Sequence, residues 1–367
     1  MLNRRQFLFA TTTATAAAIL GGCSMRTPIP HERSINFGFE DVVTSNTKWR
    51  KHGEQLQKAH VNAVSLAIGR PDWLAFEWDE NPDISASLVQ ETGEDYIEKA
   101  LKELKPFLPD DHKITLTLDT LLPGWIQENP KLAGKTTAGK RSSEFASVAA
   151  LTDGDVAKRI ARLVKDLAAR YEPHSIALTE LMFDDATFGD DDLKHYKRTM
   201  DADDWPRRSN GNIDERHDSI GEWRSKSLAH LVSTLHKELN DSNTNIDIDV
   251  RAPWEDPTGD RSESGHNYEL LLQKADRIVI WNYFGINEKS PKYGRKIAAA
   301  LHNNYGDRFV MSTGLWGTKN NQTITPDDLR ASLQAAAQGG ANAVSVSPAK
   351  LMTPEHWKVL EEIWRPD

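Results

Sequence analysis

Asn245-Ile246-Asp247-Ile248-Asp249-Val250-Arg251 alternates apolar and polar side chains at every step. Period two marks a β-strand, whose successive side chains point to opposite faces. One face is Ile246, Ile248 and Val250; the other is Asp247, Asp249 and Arg251. A helical pattern over 219–240 precedes the stretch, and another over 267–274 follows it. Working outward, the same strand-then-helix unit recurs. Strands are predicted at 35–41, 63–69, 113–119, 175–185, 245–251, 277–283, 308–314 and 343–348. Helices are predicted at 47–60, 93–108, 153–171, 219–240, 267–274, 292–304, 326–338 and 354–364. Thr325-Pro326 and Thr353-Pro354 read as N-caps followed by proline in the first turn, and Gly339-Gly340 as a C-terminal cap. Eight such units predict an α/β fold, a single closed (β/α)8 barrel. An open doubly wound sheet would need a glycine-rich turn after its first strand, and Asn36-Phe37-Gly38-Phe39-Glu40 is not one.

Strand parity carries this further. Ile35 and Phe37, Val64, Leu66 and Ile68, Ile114, Leu116 and Leu118, and Val344 and Val346 belong to the outward face, under the helices. Asn36, Gly38 and Glu40, Thr115, Thr117 and Asp119, and Ser345 and Ser347 belong inside, so the barrel interior is expected to be polar. In 175–185, parity puts Ala177, Thr179, Leu181, Phe183 and Asp185 on the inward face, and Glu180 and Asp184 on the other unless a bulge intervenes. Helix-to-strand connections are short. Strand-to-helix connections are long, at 70–92, 120–152, 186–218 and 252–266. The extra chain therefore gathers at the C-terminal mouth, where barrel active sites lie.

The chain has 367 residues, and 45 Lys and Arg against 54 Asp and Glu leave a net charge of −9, which disfavours nucleic acid as a partner. Its single cysteine, Cys23, excludes an intramolecular disulfide and a cysteine-built metal cluster. Cys23 closes the run Leu20-Gly21-Gly22-Cys23, after Arg4-Arg5 and an apolar stretch too short and too rich in threonine to span a bilayer. That order resembles a bacterial lipoprotein signal, and Asn3-Arg4-Arg5-Gln6-Phe7-Leu8 resembles a twin-arginine export motif. The expected organisation is a signal over 1–22, a tether over 23–33 beginning at the lipidated Cys23, and a barrel over 34–367. The expected location is the cell membrane, through the lipid alone, facing the periplasm or exterior.

Seven of the eleven tryptophans fall toward the mouth: Trp73, Trp78, Trp125, Trp205, Trp254, Trp281 and Trp316. Indole faces with polar rims suit sugar rings, and Trp281, Tyr283 and Trp316 are read as a sugar platform. For a single loop tryptophan, a small core under the loop is an equal alternative. Carboxylates gather at the same end: Glu40, Asp119, Glu180, Asp184, Asp185, Asp249 and Glu255. Glycoside hydrolysis needs one acid to protonate the leaving oxygen and a second group to attack or to activate water. Asp184, Asp185, Glu180 and Glu255 are the candidate catalytic residues; Glu40, Asp119 and Arg251 are candidate substrate-binding residues. No His-x-His pair ends the first strand, so neither a metal nor another cofactor is expected.

Leu181-Met182-Phe183-Asp184-Asp185-Ala186, with Val250-Arg251-Ala252 and Ile280-Trp281-Asn282-Tyr283, resembles the barrel glycoside hydrolases exemplified by the C-terminal domain of the bacterial poly-N-acetylglucosamine deacetylase/hydrolase. That family carries a histidine before its aspartate pair, where this chain has Phe183. The resemblance implies a barrel that hydrolyses glycosidic bonds of a cell-envelope or extracellular polysaccharide, acting as a monomer. The alternative is a non-catalytic sugar-binding or envelope-assembly lipoprotein on a barrel that has lost its acid pair.

Overall fold

The computed structural model describes residues 27–183, 186–317 and 322–366. Cys23 and the signal read before it lie outside these residues, as do Asp184 and Asp185. The barrel strands are β1 (Glu32–Phe37), β2 (Ala63–Arg70), β3 (Lys113–Asp119), β4 (Ser175–Thr179), β5 (Asn245–Arg251), β6 (Arg277–Asn282), β7 (Phe309–Gly314) and β8 (Ala343–Ser347). All neighbours are parallel, and β1 pairs with both β8 and β2, which closes the barrel. The helices that follow the strands are α1 (Trp49–Lys58), α2 (Tyr96–Leu104), α3 (Asp155–Tyr171), α4 (Asp218–Glu238), α5 (Tyr268–Leu272), α6 (Gly294–Tyr305), α7 (Pro326–Gln338) and α8 (Pro354–Ile363). Thr325 and Thr353 cap α7 and α8, accepting from the amides of Asp328 and His356. Among the described residues, no helix is long and apolar enough to cross a membrane.

The outward residues Ile35, Val64, Leu66, Leu116, Ile246, Ile248 and Val344 are fully buried under the helices. Inside, Ser65 meets Thr117 at 2.6 Å and Thr115 meets Ser175 at 2.8 Å. At the floor, Arg277 bridges Glu32 (Nη1 to Oε2, 2.8 Å) and Asp247 (Nη2 to Oδ2, 2.7 Å), and Lys113 reaches the same Glu32 oxygen at 2.8 Å. Burial pushes the Glu32 carboxyl up, but Arg277 and Lys113 together hold it below its ordinary value. A fully paired ionic plug thus stands where most barrels stack apolar side chains.

Two strand ends differ from the alternation. β1 stops at Phe37, and residues Phe39–Val42 form one helical turn whose buried Asp41 receives the Gly38 amide at 3.3 Å. Phe39 turns to the Trp73 ring, and Glu40 is exposed instead of continuing the inward face. β4 stops at Thr179, six residues before the predicted end. Glu180 takes φ +61, the left-handed region that a non-glycine residue seldom occupies.

Candidate active site

The mouth is built where β3 to β6 end. Asp119 closes β3, and one of its oxygens accepts the Leu121 amide at 2.8 Å. Asp249 lies on the inward face of β5; Thr179 on the neighbouring β4 and the Trp281 indole (Nε1 to Oδ2, 3.0 Å) both donate to it. Glu180 follows β4 directly. In an unbroken strand it would share the outer face with Ile176 and Leu178. The positive φ turns it inward, so that it lines both the barrel interior and the mouth cavity.

These carboxyls share a walled space, with predictable electrostatics. Burial, then the charges of Asp119 and Asp249, raise Glu180 to about 7, while Arg251 opposes the shift. Burial also raises Asp249 to about 7 and Asp119 to about 6, against the hydrogen bonds each accepts. At neutral pH a carboxyl in this group therefore carries a proton while a neighbour is ionised. Glycosidic cleavage requires that split of roles.

Above the carboxyls lies a cavity of about 1080 Å³. Trp281 and Tyr283 stand parallel, 5.6 Å between centroids and 7° between planes, and Trp316 leans on Tyr283 at 5.0 Å. Trp254, Met182 and Arg251 complete the wall. Gly314 at the end of β7 is required by this seat: a Cβ there would lie 2.4 Å from the Tyr283 ring. Burial pushes the Tyr283 hydroxyl far up, so it stays neutral, donating to or accepting from Ser312 and Ser347. The Arg251 guanidinium lies on the Met182 sulfur, Nε to Sδ 3.1 Å.

Glu180, Asp119, Arg251, Trp281, Tyr283 and Trp316 therefore come together as the sequence suggested. Glu255 stands on the rim, its side chain 95% exposed and paired with Lys289 at 3.4 Å, outside the cavity lining. Glu40 is also exposed, beside Asp41. Of the seven mouth tryptophans, Trp254, Trp281 and Trp316 line the cavity. Trp78 is buried against α3, its indole donating to Asp166, and Trp205 packs with Phe188, Tyr196 and Trp223 as part of the main core. Trp73 and Trp125 serve as platforms for Arg70 and Arg159. Sequence reasoning counted Asp249 among the mouth acids but did not rank it. Its inward parity was the available signal. Met182 gave none.

No family model matches the chain, and no curated protein matches it. Solved structures share its fold. The PgaB (BpsB) glycoside hydrolase domain from Bordetella bronchiseptica superposes with a TM-score of 0.67 at 15% identity, over 91% of this chain and 99% of that one. The β-galactosidase from the psychrophilic Marinomonas ef1 gives 0.66 at 12% identity over 91% of this chain, which spans 59% of the galactosidase. The catalytic domain of β-amylase from Paenibacillus polymyxa gives 0.62 at 11% identity, over 92% and 98%. What is shared at such identities is the (β/α)8 barrel on which these glycoside hydrolases are built.

Proposed function

We propose that the chain is an exported, lipid-anchored glycoside hydrolase that cleaves a cell-envelope or extracellular polysaccharide at the barrel mouth. The observation that carries this reading is Glu180: a carboxyl held near neutrality, turned by a left-handed backbone into a cleft walled by Trp281, Tyr283 and Trp316. Protonated Glu180 acts as general acid toward the leaving glycosidic oxygen. Asp119 and Asp249 tune that proton through their charges, and Arg251 limits the shift. Asp184 and Asp185, which follow Phe183 in the chain, supply the second carboxylate. The stacked rings hold a sugar by its C–H face, and a water activated by the second carboxylate, or one that resolves a glycosyl ester formed on it, takes the sugar carbon as the protonated oxygen leaves.

The test is release of reducing ends from a polysaccharide panel by the mature protein. Glu180→Gln keeps the shape of the side chain and removes its proton, so turnover should fall by about 10²–10⁴ while sugar affinity holds. Asp184→Asn and Asp185→Asn, measured in parallel, identify the second group by a loss of the same order. Undiminished turnover in Glu180→Gln would remove it from the mechanism. Binding without any release by the parent would make the protein a sugar binder.

A further inference from the structure

Glu180 keeps a backbone conformation that glutamate disfavours, and such a residue persists only where its neighbours are held. On the β3 side, the Thr179 carbonyl accepts from the Thr120 amide at 3.2 Å and from the Thr120 hydroxyl at 2.9 Å. On the β5 side, the register sets Leu178 beside Ile248, and continued it would set Leu181 beside Arg251. β4 has ended by then, and the His266 ring spans the gap. Its Nδ1 accepts from the Arg251 amide at 3.2 Å, and its Nε2 donates to the Leu181 carbonyl at 3.0 Å. We propose that His266 is a positioning residue, whose ring locks the left-handed turn that aims Glu180 into the cleft; this rests on the reading of Glu180 as the acid.

The ring is itself held. An amide can only donate and a carbonyl can only accept, so the two partners fix the neutral tautomer with its proton on Nε2. His266 is fully buried. Its amide and carbonyl pair with the carbonyl and amide of Arg261, at 3.0 and 3.1 Å, and Asn267 beside it caps α5 by accepting the Leu270 amide. The same stretch grips the turn at two further points. The Phe183 amide donates to the Ser264 carbonyl at 3.2 Å, and the Tyr268 hydroxyl donates to the Arg251 carbonyl. Gly265, at φ +89, permits this approach, since a Cβ there would lie 3.0 Å from the Phe183 ring.

A histidine that only filled the loop would carry stability and nothing else. Here the two bonded backbone groups belong to the residue after the acid and to Arg251, the cation that opposes the Glu180 shift. Without the ring, the Leu181 carbonyl and the Arg251 amide lose this bridge, and the strain at Glu180 can relax toward extended backbone. Parity then sends the Glu180 side chain to the outer face, with Ile176 and Leu178, and away from Asp119 and Asp249. Those are the charges that, after burial, raise it.

NMR on protein carrying isotope-labelled glutamate tests this, because it follows the titration of the Glu180 carboxyl directly; its signal is the one missing from Glu180→Gln. The Asp119 charge raises Glu180 only while the two share the cleft. Asp119→Asn should therefore lower the Glu180 midpoint in the parent. In His266→Leu, shown to be folded by near-UV circular dichroism, the same substitution should leave the midpoint where it is. Glutamine has an amide to donate to Leu181 and a carbonyl to accept from Arg251, so His266→Gln should restore the parent's response. An undiminished response in His266→Leu, or none in His266→Gln, overturns the positioning role and leaves Glu180 standing as the acid. A parent in which Glu180 titrates at its ordinary 4.5 overturns both. If His266→Leu does not fold, the nitrogen shifts of the His266 ring in the parent decide: a proton on Nε2 upholds the bridge, and one on Nδ1 overturns it.

Discussion

Glu180 and Arg277 show how a single side chain acquires its role from what surrounds it. Folding raises the Glu180 pKa from 4.5 to about 7. Between those values the folded chain holds a proton that the unfolded chain has lost. The contribution to stability is therefore fully present below the ordinary carboxylate value and is lost as pH rises through about 7. Gln cannot ionise, so Glu180→Gln should melt higher than the parent at pH 8, with the difference closing at pH 4. Calorimetric melts at the two pH values check this, and a parent that melts higher at pH 8 would contradict it. Arg277 has the opposite character. Its guanidinium, 14% exposed, neutralises Asp247 at 1% and Glu32 at 10%. Arg277→Met strands Asp247, leaves Glu32 to Lys113 alone, and should cost about 3–5 kcal/mol in urea unfolding at neutral pH. The same variant should recover part of that loss in acid, where the stranded carboxyl takes up a proton.

Among the elements, alternation predicted β2, β3 and β5 to within a residue, because a strand between two faces must repeat with period two. It overran β1 and β4 for a physical reason: Phe39, Leu181 and Phe183 continue an apolar rhythm, yet Phe39 packs edge-on against Trp73 after β1 has ended, and Leu181 and Phe183 are buried beyond the end of β4. Nothing local in Thr179-Glu180-Leu181 signals a left-handed residue, since Glu has no special ease there. β7 offers a test of element against site. Gly314→Ala drives a methyl into the Tyr283 ring, and overpacking of this kind costs about 1–3 kcal/mol. In a Tyr283→Ala background the same substitution should cost much less, as read by chemical denaturation of the four proteins in a double-mutant cycle. Equal costs in both backgrounds would show that the glycine serves the strand and not the aromatic seat.

At the scale of the molecule, the long connections and Thr27, the first described residue, lie at opposite ends. The Thr27 hydroxyl accepts from Gln338 at 3.2 Å, at the C-terminal end of α7. That helix runs antiparallel to the strands, so this is the end away from the mouth. A lipid on Cys23, four residues earlier, would hold the cleft facing away from the bilayer, open to polymer in the surrounding space. Cys23→Ser should move the protein from the membrane fraction to the soluble fraction of cells that express it. Unchanged partitioning would sink the lipid anchor.

By itself the sequence determined the barrel, its polar interior and the end at which the site forms, because these follow from periodicity and from loop length. Asp119, Arg251, Trp281, Tyr283 and Trp316 were legible for the same reason: each sits at or just beyond a strand end. Tertiary structure alone decided the rest. It turned Glu180 into the cleft through one left-handed residue while leaving Glu40 and Glu255 exposed, and it set near-neutral carboxyls beside one another by removing them from water. It consigned Trp78 and Trp205 to packing, and it brought a hairpin some forty residues before Glu180 alongside Met182 and Arg251. Burial and proximity are properties of the closed barrel, and no window of sequence contains them.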